Sequence, residues 1–151
     1  EGIELIKAFE GCKLFTYRDS VGVATIGYGH TKSVKMGQAI TQQQAEQYLR
    51  EDLQPCEKIL NACGVNFRQE QFDALCSWVF NLGITNFRNS TMLKYIMAGK
   101  EDTVITDQLV KWHNAGGVPM KGLKRRRIAE ANLFLGKDVY FLDKDENICK
   151  R

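Results

Sequence analysis

The chain predicts an α+β fold, with a small N-terminal lobe built on a β-hairpin, a larger helical C-terminal lobe, and a cleft between them. Three observations carry this. β-Forming residues separated by turn chemistry are confined to residues 15–31, residues from 41 onward carry helical periodicity, and the composition is that of an ordinary globular chain. With 44% apolar and 26% charged residues among 151, one domain can bury a real core. The expected division is a single domain over 1–151: an N-terminal lobe of about 10–54, a helical lobe of about 1–9 plus 55–136, and an unassigned polar tail of 137–151.

The first segment, GIELIKAFEG, reads as a helix that stops at Gly11. Ile3, Ile6 and Glu10 follow the i, i+3, i+7 spacing, which places Glu10 at the edge of the apolar face. A carboxylate there is partly desolvated, which is unusual for a solubilising residue. The period then changes. Phe15, Tyr17, Val21, Val23 and Ile26 are β-formers, and Asp19-Ser20-Val21-Gly22 supplies a turn between two short strands.

Thr41 caps the next helix, with Gln44 at the capping-box position and Ala45, Tyr48, Leu49 and Leu53 as its stripe. The pattern resumes after Pro55 and ends at Gly64, so a kink or break is expected near the proline, which costs a helix interior about 3 kcal/mol. Residues 68–82 carry Phe72, Leu75, Cys76, Val79 and Phe80 at helical spacing. Ser90 caps TMLKYIMAG, and residues 103–113 form an amphipathic stretch with Leu109, Val110 and Trp112. A glycine-rich loop then precedes GLKRRRIAEANLFLG, whose expected core face is Ile128, Ala131 and Leu135.

Several function classes are disfavoured. A net charge of +3 is too mild to mark a nucleic-acid binder. No apolar run approaches the roughly 18–20 residues that cross a bilayer, so no stable membrane insertion is expected of the given chain. The sequence starts at Glu1 without a methionine and is silent on a leader or anchor. Cysteines at 12, 56, 63, 76 and 149 form no C-x-x-C pair, and the only histidines are His30 and His113, so neither metal nor cofactor is expected. The odd cysteine count fits mostly buried thiols made in a reducing compartment.

Glu10, Asp19 and Thr25 are the candidate chemistry. Glycoside hydrolysis needs a proton donor for the leaving oxygen and a second group that handles water or the ring carbon. A partly desolvated Glu10 suits the donor, since burial disfavours a charged carboxylate. Asp19 at a polar turn suits the ionised partner, and the Thr25 hydroxyl can hold a water beside it. Taken singly, each residue also has an ordinary explanation: an exposed helix end, a turn-former, and a β-branched strand residue.

The string Glu10, Asp19, Thr25, followed by Ile26-Gly27-Tyr28-Gly29-His30-Thr31, resembles the catalytic segment of phage-type lysozymes, the endolysins of glycoside hydrolase family 24. ITQQQAEQYLREDL resembles that family's inter-lobe helix and QEQFDALCSWVFNLG its central helix. FRNSTML, WHNAGG and KGLKRRRIAEANLFLG resemble its C-terminal lobe, so the similarity spans about residues 1–136. It implies a lysozyme-like fold and a muramidase that cleaves the β-1,4 bond between N-acetylmuramic acid and N-acetylglucosamine in peptidoglycan. Glu10 matches the proton donor, Asp19 the second acid, and Thr25 the residue that positions water.

The same resemblance implies inversion, with the two carboxyls roughly 6.5–9.5 Å apart. It also implies a monomer acting on peptidoglycan glycan strands, with no nucleic-acid partner. Such an enzyme is made in a phage-infected or lysogenic host's cytoplasm and acts on the wall in the periplasm, by a route the sequence leaves open. Thr31, Phe80, Asn81 and Ser90 fall where the family lines its cleft; Phe80 can equally be core, and Ser90 a helix cap. A catalytically silent wall-binding module of the same fold is the alternative function.

Three further expectations concern stability and regulation. His30 is expected to pair with Asp52 and tie the lobes together. Lys124-Arg125-Arg126-Arg127 is read as a solvated face or a patch drawn to an anionic surface, with Arg125 and Arg126 also able to brace the helical lobe. Cys12, two residues from Glu10, is read as a structural thiol, with redox control of the site as the sharper reading.

Overall fold

The computed structural model describes residues 2–115, 117–138, 140–142 and 148–150. Helix α1 (Gly2–Glu10) leads into strands β1 (Lys13–Arg18) and β2 (Ala24–Gly27), and then α2 (Gln42–Asn61) connects the lobes. The helical lobe follows as α3 (Gln69–Leu82), α4 (Ile84–Arg88), α5 (Thr91–Met97) and α6 (Asp102–Leu109). A two-residue ladder, β3 (Asn114–Ala115) with β4 (Val118–Pro119), precedes α7 (Lys121–Phe134), and β5 (Tyr140–Leu142) pairs antiparallel with β6 (Ile148–Lys150). The tail, unassigned from its sequence, therefore contains a short hairpin.

Two cores correspond to the two lobes. Ile6, Tyr28, Ala45, Leu49 and Leu53 form the smaller. Leu5, Cys56, Leu60 and the apolar faces of α3, α5, α6 and α7 form the larger, around Trp78 and Phe87. Helix α1 gives Leu5 to one core and Ile6 to the other, and α2 crosses between them from Leu53 to Cys56. Consecutive positions on a helix point about 100° apart, so these short segments serve both cores and fix the lobes against each other.

Local chemistry explains the element ends. Gly11 adopts φ 65°, a left-handed conformation that closes α1, and its N–H donates to the Lys7 carbonyl. Thr41 and Gln44 form the expected reciprocal cap on α2. In the β1–β2 hairpin Tyr17 stands opposite Thr25 and Arg18 opposite Ala24.

Two expectations need correction. Helix α2 is not broken at Pro55 but runs from Gln42 to Asn61. Glu51, whose carbonyl the proline leaves without a donor, and Pro55 itself are both exposed, so water can take that carbonyl. Buried Leu53, Cys56 and Leu60 hold the helix on either side. On α7 only Ala131 of the expected face Ile128, Ala131 and Leu135 is buried in the core: Ile128 is 46% exposed and Leu135 half-buried, while Arg126, Arg127, Glu130, Leu133 and Phe134 are also buried. These five follow i, i+1, i+4, i+7, i+8, the stripe of a core-facing helix written partly in charged residues.

Candidate active site

Glu10 ends α1 at the floor of the inter-lobe cleft, a space of about 720 Å³ lined by Glu10, Thr31, Asp52, Phe80 and Asn81 among others. Its side chain is 19% exposed, and its Oε1 accepts from Arg126 Nη1 at 3.2 Å. The Arg126 guanidinium lies 5.7 Å over the Phe9 ring, so helix α7 reaches under the end of α1. Gly29 makes room for the carboxyl: a Cβ there would meet Glu10 Oε2 at 3.3 Å, and its φ of +76° disfavours any side chain. The partial burial expected from helix position is present.

Asp19 sits half-buried at the hairpin turn, where its Oδ1 accepts from the Val21 and Val23 backbone N–H groups at 3.0 and 2.8 Å. Both bonds fall on one oxygen, which orients the carboxyl. Thr25 is only 3% exposed, and its hydroxyl donates to the Val23 carbonyl at 2.8 Å. Its oxygen is thus set to accept, so a water held there would donate to it. Asp19 and Thr25 stand on the hairpin and are not among the residues that line this cleft.

Tyr17 relates the two acids. Burial pushes its phenol above the usual range, and the negative fields of Glu10 and then Asp19 push it further. The ring therefore lies within electrostatic reach of both carboxylates, a position that β-propensity alone gives no reason to expect.

Of the sugar-contact candidates, Thr31, Phe80 and Asn81 reach the cleft. Phe80 also packs against both cores. Asn81 is oriented by Arg127, whose Nη2 donates to its Oδ1 at 2.9 Å. Ser90 does not reach the cleft. It is 1% exposed; its Oγ accepts from Leu93 N at 3.0 Å, which caps α5, and donates to the Phe87 carbonyl of α4 at 2.7 Å.

The supporting contacts are clear. His30 Nδ1 lies 2.8 Å from Asp52 Oδ2, and its ring stacks on Tyr48 with centroids 4.3 Å apart. Lys7 Nζ pairs with Glu46 Oε1 at 2.8 Å, tying α1 to α2. The hydrogen bond and attraction to Glu46 raise the Lys7 ammonium above its usual range, and Lys7 lowers Glu46 in turn. The basic run splits by depth: Lys124 is exposed, Arg125 half-buried, and Arg126 and Arg127 are buried, so the latter two and not a solvated face brace the lobe. Cys12, Cys56, Cys63 and Cys76 are free thiols. Among the described residues no cluster of three or more His, Cys, Asp or Glu could hold a metal.

The expected His30–Asp52 pair is present, whereas Arg126 as the partner of Glu10 escapes a reading of local motifs because 116 residues separate the two. The available signal was charge at apolar positions: Glu130 follows Arg126 by four residues and Arg127 by three, the spacing of helical ion pairs.

Residues 7–130 match the phage lysozyme family model. The endolysin of Acyrthosiphon pisum secondary endosymbiont phage 1 is 42% identical over 139 residues, covering 89% of this chain and 94% of the relative. The SAR-endolysin of Bacteriophage PS119 is 38% identical over 128 residues, covering 83% of this chain and 76% of the relative. Among solved structures, the endolysin from Escherichia coli O157:H7 phage FAHEc1 is similar at a TM-score of 0.81 and 40% identity, covering 89% of this chain and 90% of that one.

Proposed function

Because the chain belongs to the phage lysozyme family, we propose that it is a muramidase that opens peptidoglycan during phage-mediated lysis, with Glu10 as general acid. The observation that carries the assignment is the half-buried Glu10 carboxyl at the cleft floor, with Thr31, Phe80 and Asn81 along the same cleft. Glu10 gives its proton to the glycosidic oxygen as the bond to the leaving sugar breaks. Asp19, oriented by two backbone N–H groups, draws a proton from the attacking water, and Thr25 accepts a hydrogen bond from that water. Thr31 and Asn81 offer polar contacts to sugar hydroxyls and Phe80 an apolar surface. The anomeric centre is inverted.

The enzyme works as a monomer on glycan strands of the cell wall, after synthesis in the host cytoplasm. Relatives of both kinds, endolysin and SAR-endolysin, resemble it, so the route to the periplasm is no part of the proposal.

The test compares the parent and Glu10→Gln on chloroform-permeabilised Gram-negative cells, followed by turbidity. We expect Glu10→Gln to lose at least about 100-fold in clearing rate, as removal of a general acid does. Equal clearing by both proteins sinks the assignment. Absence of clearing by either supports the catalytically silent wall-binding module instead. Reducing sugar ends among the products distinguish hydrolysis from a lytic transglycosylase reaction.

A further inference from the structure

Behind the cleft, Glu130 of α7 is fully buried with two arginines. Its Oε1 lies 2.7 Å from Arg127 Nε, and its Oε2 accepts from Arg127 Nη2 at 3.1 Å and Arg126 Nε at 3.4 Å. The Ser77 hydroxyl of α3 donates to the same Oε2, and Arg126 Nη2 reaches Ser77 O and Oγ at 3.3 Å each. Each guanidinium then carries one cleft residue. Arg126 Nη1 holds Glu10, and Arg127 Nη2 holds Asn81.

We propose that Glu130, fixed by Ser77, is a positioning residue for hydrolysis: one buried carboxylate anchors two guanidiniums, so that one sets Glu10 and the other sets Asn81. The inference rests on the reading of Glu10 as general acid. It follows from what a buried charge cluster is good for. Such clusters are poor sources of stability, because well-packed apolar side chains of similar volume do as well or better. This one spends a fully enclosed carboxylate on two cations that both end at the cleft.

The charge balance gives the second reason. Glu10 faces Arg126 directly, the field of Arg127 also from α7, and the Tyr17 phenol from β1. Burial pushes the Glu130 carboxyl up and the Arg127 guanidinium down, while their mutual attraction opposes both shifts. An ionised Glu130 shares the attraction of Arg126, so the guanidinium that orients Glu10 is already partly neutralised. With Glu130 neutral, the whole cationic charge of Arg126 faces Glu10, and the alkaline limit of the reaction moves to lower pH.

The experiment measures solubilisation of purified peptidoglycan against pH for the parent, Glu130→Gln, Ser77→Ala and Glu10→Gln, with each rate normalised to folded protein. Glu130→Gln is expected to lose about tenfold in rate, with the alkaline limb displaced by about one pH unit to lower pH. Ser77→Ala moves the limb the same way by less, and decides the matter alone should Glu130→Gln not fold. Thermal unfolding is followed in parallel. Folded variants whose unfolding temperature falls while rate and alkaline limb stay at parental values overturn the proposal and leave the general acid intact. Parental activity in Glu10→Gln overturns the underlying reading, and the positioning role with it.

Discussion

A guanidinium from α7 reaches Glu10 across 116 residues of sequence, and a missing Cβ at Gly29 leaves space for the carboxyl. These two facts make residue-scale predictions. Gly29→Ala places a methyl 3.3 Å from Glu10 Oε2 at φ +76°, so it should cost about 1 kcal/mol in stability and also slow lysis by displacing the acid. Urea unfolding and turbidity clearing read the two effects separately. Ser90→Ala should cost about 1 kcal/mol through loss of the α5 cap while the clearing rate per folded molecule stays parental. A sugar contact at Ser90 predicts the opposite pattern, with activity lost and stability kept.

At the scale of elements, α2 and α7 show where pattern reading fails and why. Pro55 is a strong local stop signal, but a helix end is decided by the sum over its neighbours. Buried Leu53, Cys56 and Leu60 outweigh one missing backbone bond whose carbonyl faces water. Pro55→Ala is therefore expected to raise stability by about 1–3 kcal/mol, read as a higher denaturant midpoint, with clearing unchanged. On α7 the apolar code found Ala131 but missed most of the core face, because Arg126, Arg127 and Glu130 occupy core positions as a compensated set. Removing one member should be far more damaging than removing an exposed charge. Arg127→Ala leaves Glu130 short of a partner and should cost about 3–5 kcal/mol, against less than 1 kcal/mol for Lys124→Ala.

At the scale of the molecule, two cores share α1 and α2, and His30–Asp52 and Lys7–Glu46 reinforce that junction. The larger core also encloses thiols. Burial is the main cause that pushes Cys56 up to about 11 and Cys76 higher still. The folded state keeps these protons where the unfolded chain releases them, so folded protein binds more protons at alkaline pH. Stability is complete below the ordinary thiol value near 9.0 and falls as pH rises toward about 11. Urea midpoints at pH 8 and pH 10.5 should show this decline, and Cys56→Ala should flatten it. The same burial makes Cys56 and Cys76 slow toward alkylating reagents, with the less buried Cys12 reacting first.

The sequence by itself determined what depends on short spacing: the helix ending at Gly11, the hairpin from its β-formers and turn, the Thr41 cap, and Glu10 at the edge of an apolar face. It also carried the family, through ordered motifs that the match over residues 7–130 bears out. Those features are local, and each is fixed by a few neighbouring residues. Only the tertiary structure decided which charges are buried, since desolvation can be tolerated only once distant partners are in place. Arg126 meets Glu10, Arg127 meets Asn81 and Glu130 meets Ser77 because α7 packs along α3 beneath the end of α1. No spacing within α7 could announce that arrangement.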